Sequence, residues 1–268
     1  MRADQPVWMA DNKSYRYGDG FFETMKMYKG GILLQENHFN RFFSTADTLR
    51  YHIPTLITQK ELIKQVKQLC EKNNCSGVAR IRLSAFRGNG GIYDGDNTLQ
   101  YLIECWLLNE TVNKLNENGL HIGIYTDARK GCDTFSNLKS ANYLPYVMAA
   151  QYAKEKKWND CIVLNAAGRI ADATIANVFI VKDERIITPP LSEGCVAGVM
   201  RKWLITSLYH ENIRVEESPI TINDLHSADE IFLTNAISGI KWVGQLENKT
   251  LTNLKTKEIY NRFIKPMY

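Results

Sequence analysis

The chain has 268 residues, 44% hydrophobic and 23% charged, which excludes a disordered or fibrous protein and allows one large or two medium domains. Its 33 Lys and Arg against 29 Asp and Glu leave a net charge of +4, too dispersed for a nucleic-acid surface; Glu155 interrupts the Lys154, Lys156, Lys157 cluster. The longest uncharged run, Ser140 to Ala153, contains polar residues and is shorter than the roughly 20 apolar residues of a membrane span, and Met1 to Pro6 lack the apolar run of a secretion signal, so a cytoplasmic protein is expected.

In chain order, Phe21 to Tyr28 and Ile32 to Gln35 read as two strands of a hairpin across Lys29-Gly30-Gly31. From Asn37 to Tyr51, Phe39, Phe42, Phe43, Ala46 and Leu49 recur at three- and four-residue steps, the mark of a helix packed on one face. Gln59 to Cys70 repeats that period through Leu62, Val66 and Leu69. Val78 to Phe86 alternates arginine with apolar residues, as a strand with one polar face does, and Tyr101 to Leu108 is a further strand. Asn109 to Gly119 is loop-like, which places an amino-terminal α+β domain at 1–112, a linker at 113–120 and a second domain at 121–268. There His121 to Thr126 reads as a strand and Ser140 to Trp158 as a helix with Leu144, Val147, Met148, Gln151 and Tyr152 on its repeating face. Cys161 to Asn165 is a short buried strand, and Ala176 to Val181 pairs with Arg185 to Thr188 across Lys182-Asp183-Glu184. Met200 to Leu208 is a helix, and Glu230 to Thr234 the last strand.

The 6 cysteines and 5 histidines are scattered without metal-ligand spacing, so reduced structural thiols and no metal are expected. Gly88-Asn89-Gly90-Gly91-Ile92-Tyr93 starts like a dinucleotide fingerprint but ends in Tyr93 with no helix start behind it, which reads as a glycine loop. Asp94 and Asp96 lack the glutamate and spacing of a calcium loop and read as turn residues. Four polar features remain. Lys139 precedes an apolar helix, where desolvation favours the neutral amine that imine chemistry with an aldehyde requires. Asp172 sits among small residues between two strands, in a segment that a flat ring can approach. Gly198-Val199-Met200-Arg201 opens a helix whose first amides can hold a phosphate, and Arg41 can add a charge-assisted clamp.

Taken together these features resemble the class IV aminotransferases, the pyridoxal-phosphate enzymes of fold type IV. The resemblance runs from Tyr17 to Val243. It is carried by Tyr17-Gly18-Asp19-Gly20-Phe21-Phe22-Glu23, His38-Phe39-Asn40-Arg41, Lys139 through Asn142, Gly168 through Phe179, Gly198-Val199-Met200-Arg201 and Phe232-Leu233-Thr234-Asn235-Ala236. It implies a two-domain α+β chain, with a small amino-terminal domain and a larger carboxy-terminal domain around a barrel-like sheet. The implied cofactor is pyridoxal 5'-phosphate, and the implied assembly a homodimer. Lys139 then matches the lysine that bonds to the cofactor and moves protons, and Arg41 the phosphate-binding arginine. Val199 and Met200 match the amides at the helix start, Ala236 a further phosphate contact, and Tyr143 a tyrosine touching the pyridine hydroxyl. Tyr17, Phe22, Arg87 and Ile237 fall where the family builds its substrate pocket.

The family normally has glutamate where this chain has Asp172, the carboxylate that keeps the pyridine nitrogen protonated. Aspartate has the same charge but is one methylene shorter, so the backbone must move inward or a water must bridge. Among family reactions, Thr234-Asn235-Ala236-Ile237, Met200 and Phe86-Arg87-Gly88 resemble aminodeoxychorismate lyase, which releases pyruvate and 4-aminobenzoate for folate synthesis. Ile92, at a position where the lyase can carry arginine, and Glu23-Thr24 read instead as a transaminase of branched-chain or D-amino acids using 2-oxoglutarate. A non-catalytic scaffold would need neither Lys139 nor Arg41.

Overall fold

The computed structural model describes residue 5, residues 9–93 and residues 95–268. Asp94 and most of Met1 to Pro6 lie outside the described residues. The chain divides into two units, Met1–Leu107 with Lys139–Asn142, and Leu108–Leu138 with Tyr143–Tyr268.

The first unit contains α1 (Lys13–Tyr17), β1 (Gly20–Tyr28), β2 (Gly31–Ile32), α2 (Gln35–Thr48), α3 (Gln59–Lys72), β3 (Val78–Phe86) and β4 (Gln100–Leu107). The sheet is antiparallel in the order β2-β1-β3-β4. Lys29 and Gly30 both take positive φ, 47° and 76°, the twist that suits a two-residue hairpin turn. The expected second strand of that hairpin is shorter than Ile32 to Gln35, because Leu34 turns left-handed (φ 53°) and starts α2. Phe39, Phe42 and Ala46 on α2, with Leu62 and Val66 on α3, are fully buried with Met25, Ile81 and Leu83 of the sheet. Each large apolar side chain there contributes about 1.5–3 kcal/mol by leaving water. Thr58 caps α3 by accepting a bond from the Glu61 amide at 3.2 Å.

The second unit is built on a nine-stranded mixed sheet. Its elements are β5 (Leu120–Lys130), α4 (Leu144–Glu155), β6 (Asp160–Asn165), β7 (Ile170–Ala173), β8 (Asn177–Lys182), β9 (Arg185–Thr188), α5 (Val199–His210), β10 (Val215–Glu217), α6 (Ile222–Ser227), β11 (Glu230–Asn235), β12 (Gly239–Leu246), β13 (Lys249–Thr250) and α7 (Leu254–Ile259). The strand order is β10-β9-β8-β11-β12-β5-β6-β7, with β13 on β12. β5 runs parallel to β6 and β12, and β9 parallel to β10; the other pairs are antiparallel. Ile122, Ile162, Leu164, Val178, Ile180, Ile231 and Val243 fill the core of this unit. No helix among the described residues is long and apolar enough to cross a membrane.

Four further expectations change. The helix expected from Ser140 begins at Leu144, because residues 139–142 run extended along β1. The Phe22 amide donates to the Lys139 carbonyl at 2.9 Å and the Ala141 amide to the Gly20 carbonyl at 2.7 Å. Those bonds also assign 139–142 to the first unit. The apolar face expected to bury α4 is the exposed one: Leu144, Val147 and Met148 are 65%, 49% and 46% exposed, while Tyr146, Ala149 and Ala153 pack on Tyr125, Cys161 and Val163. Both faces are apolar, so periodicity alone did not choose; the small alanines let the helix approach the sheet closely. Asp172 lies within a strand, opposite Val163, rather than between two. Finally, β11 is followed by β12 and β13, which the mixed polar pattern of Gly239 to Leu246 had hidden.

Candidate functional site

In the second unit the site is organised by Asp172. It sits in the centre of β7 and is only 2% exposed. Its Oδ2 accepts from the Tyr146 hydroxyl at 3.0 Å, the Val196 amide at 2.9 Å and the Lys130 ammonium at 3.3 Å. Its Oδ1 is buried and has no partner among the described residues. A buried carboxylate oxygen without a donor is costly, so it is open to a donor from outside the chain, whether water or a ligand. Tyr143 stands at the start of α4, its ring 4.3 Å from that of Tyr146 and its hydroxyl 3.3 Å from the Thr174 carbonyl, to which it donates.

A short relay of bonds leads from Asp172 to the start of α5. The Val196 amide serves Asp172, and the Val196 carbonyl accepts from Asn177 Nδ2 at 2.8 Å. Asn177 in turn lies against Gly198, where an added Cβ would fall 1.9 Å from its Oδ1. Gly198 is the N-cap of α5 and supplies no side-chain cap, so the amides of Val199 and Met200 open the helix without a side-chain acceptor. Helix starts of this kind attract phosphate through their amides and the helix dipole. Ala236 and Ile237 occupy the turn after β11, both half-buried. That turn is held by Asn235 Oδ1, which accepts from the amides of Ile237 and Ser238 at 3.0 and 2.8 Å.

In the first unit, Lys139 is half-buried with its Nζ 4.7 Å from the centroid of Phe22, which is 6% exposed. The guanidinium of Arg82 lies 3.6 Å from the same ring. Arg41 is largely engaged by Glu23: Nε donates to Oε1 at 2.6 Å and Nη2 to Oε2 at 2.7 Å, while His38 Nδ1 lies 2.6 Å from Oε2. Burial of Glu23 works to raise its pKa, but Arg41 and His38 outweigh it and hold the carboxyl down at about 2. Arg87 is held by Asp19, by the Leu49 carbonyl and by Asn97 Oδ1 at 3.1 Å, and it stacks on Tyr51. Tyr17 ends α1 and is 48% exposed.

Asp172, Tyr143, Val199 and Met200 are thus joined by contacts within one unit, and Lys139 with Phe22 in the other. Arg87 is occupied by structural partners. Lys130, Tyr146, Val196 and Asn177 were not anticipated. The single signal available for them was the second tyrosine three residues after Tyr143, one helical turn away. The orphaned Oδ1 fits a protonated ring nitrogen, and the uncapped glycine start of α5 fits a phosphate, the two ends of a pyridoxal phosphate.

The family described as Amino-transferase class IV matches residues 20–245. A Methanocaldococcus jannaschii protein described as a branched-chain-amino-acid aminotransferase is 31% identical over 91% of this chain and 84% of its own. The aminodeoxychorismate lyase of Vibrio harveyi is 29% identical over 89% of this chain and 88% of its own. The crystal structure of a branched-chain aminotransferase from Thermoproteus uzoniensis superposes with a TM-score of 0.87 at 24% identity, covering 100% of this chain and 92% of that one. The chain therefore belongs to the class IV aminotransferases, pyridoxal-phosphate-dependent enzymes of fold type IV.

Proposed function

We propose that the chain is an aminodeoxychorismate lyase, releasing pyruvate and 4-aminobenzoate for folate synthesis, with Lys139 as its catalytic amine. The observation that carries the cofactor assignment is the empty Oδ1 of Asp172 beside a fully engaged Oδ2. The lyase reading is supported by the wording of the Thr234 to Ile237 turn and of Gly198 to Arg201, and by the 29% identical lyase.

Pyridoxal phosphate supplies an aldehyde and a protonated ring that accepts the electrons left when a proton leaves the carbon bearing the substrate's amine. Asp172 would hold the proton on the ring nitrogen through its open Oδ1. By the family resemblance Tyr143 would serve the ring hydroxyl and the amides of Val199 and Met200 the phosphate, with Arg41 and the Ala236 main chain as further phosphate groups. Lys139 would be the amine that holds the aldehyde, and its free amine would be the group that carries the substrate proton. Phe22, whose ring lies against Lys139, limits where that amine can swing. Tyr17 and Ile237 line the substrate side in this reading, and the protein works as a homodimer.

A second reading, transamination of a branched-chain or D-amino acid, is favoured by one observation. Arg87, part of the loop on which the lyase reading drew, is engaged by Asp19, Asn97 and the Leu49 carbonyl, which weakens that support for the lyase. The deciding experiment offers aminodeoxychorismate and follows pyruvate, and in parallel offers L-leucine, L-valine or D-alanine with 2-oxoglutarate and follows glutamate. Pyruvate alone supports the lyase; glutamate alone replaces it with the transaminase. Purified protein should also show a band at roughly 410–430 nm that borohydride bleaches as it fixes the cofactor to Lys139, and Lys139→Ala should lack that band and show a ~1,000-fold fall in rate. Sedimentation of an active monomer would remove the homodimer.

A further inference from the structure

Three donors converge on one oxygen of Asp172 and none on the other. Two are side chains from distant elements: Tyr146 in the first turn of α4, 5% exposed, and Lys130 at the end of β5, its side chain 11% exposed. They also touch each other, the Lys130 ammonium lying 5.1 Å from the Tyr146 ring centroid. Burial, and then the charge of Asp172, push the Tyr146 phenol far above its usual range, so it remains a hydroxyl donor throughout the working pH.

The terminal torsion of an aspartate is soft, with broad wells rather than one staggered minimum. A carboxylate held by a single backbone amide could turn about that torsion and swing its free oxygen away from the direction it takes here. With Lys130 and Tyr146 both on Oδ2, only one orientation keeps all three bonds. We propose that Tyr146 and Lys130 are positioning residues that lock the Asp172 carboxylate so that Oδ1 alone meets the cofactor ring nitrogen. This rests on the reading of Asp172 given above. It also supplies what the shorter side chain needs: a fixed direction in place of reach.

The test is a double-mutant cycle on the full chain, reading equilibrium binding of pyridoxal phosphate and the resonance of a ring-15N-labelled cofactor. Tyr146→Phe and Lys130→Met should each weaken binding about 5–10-fold and move the resonance toward that of unprotonated pyridine. In the Asp172→Ala background the same changes should cost less than about two-fold. Lys130→Arg should restore the resonance. Losses that are as large without Asp172 as with it, or a resonance unmoved in both single variants, would overturn the proposal. If Lys130→Met does not fold, Tyr146→Phe decides alone, since it keeps the ring packed on Tyr143. A wild-type chain that binds no pyridoxal phosphate would bring down the cofactor assignment itself, whereas binding retained with additive losses brings down only the positioning role.

Discussion

Two buried carboxylates, one in each unit, are treated in opposite ways. Glu23 in β1 has both oxygens engaged: Oε1 by Arg41, and Oε2 by Arg41 and His38. Asp172 in β7 has every donor on Oδ2 and none on Oδ1. Among the described residues no other Asp or Glu oxygen is buried without a partner. A carboxylate saturated from within the chain stabilises the fold; one left half-satisfied is a poorer stabiliser and has an oxygen open to a donor from outside the chain. Hydrogen bonding distinguishes the two carboxylates where burial does not, since both residues are only 2% exposed.

That contrast can be broken by exchanging losses. Glu23→Gln leaves Arg41 without its partner and should cost about 3–5 kcal/mol in denaturant unfolding. The same cluster sets an acid limit. The folded Glu23 carboxyl is held down at about 2, so its stabilisation, on the order of 3 kcal/mol, is present above the ordinary glutamate pKa of about 4.3 and is lost as pH falls toward about 2. Unfolding followed from pH 6 down to pH 2 should show this loss in the wild type and not in Glu23→Gln. Asp172→Asn should weigh on the other side, lowering kcat about 100-fold at a smaller stability cost than Glu23→Gln, since Lys130 loses one contact at 3.3 Å where Arg41 loses two at 2.6 and 2.7 Å. If Asp172→Asn unfolds the protein and Glu23→Gln does not, the two roles have been assigned the wrong way round.

Smaller effects sharpen the picture. Gly198→Ala forces a Cβ against Asn177 Oδ1 and should loosen the Asn177 bond to the Val196 carbonyl. A cost of about 1–3 kcal/mol in stability is expected, with weaker phosphate binding read by competition with inorganic phosphate. Arg87→Met should change the substrate KM less than about two-fold while lowering thermal stability, because its partners Asp19, Leu49 and Asn97 are structural. A large rise in KM would return Arg87 to the substrate pocket.

How far the residues could be read in advance differs from element to element. β3 was legible to its ends, because arginines alternating with apolar residues have the two-residue period of a half-buried strand. α2 and α3 were legible within a few residues from their apolar period. The buried face of α4 was not, since Leu144, Val147 and Met148 are as apolar as the residues that pack. Asp172 stood out as a carboxylate among small neighbours, but its partners did not, because Tyr146 and Lys130 lie 26 and 42 residues away along the chain.

From the amino-acid order alone came the periods that make helices and strands, the α+β class, and the family resemblance with its ordered motifs. Those are properties of neighbours along the chain, set by side-chain spacing and local backbone preference. Tertiary structure decided which apolar face of α4 is covered, that residues 139–142 run along β1, and which oxygen of Asp172 is left open. Each of these depends on groups brought together from remote positions, where packing and hydrogen-bond geometry choose among arrangements that local preference leaves equal.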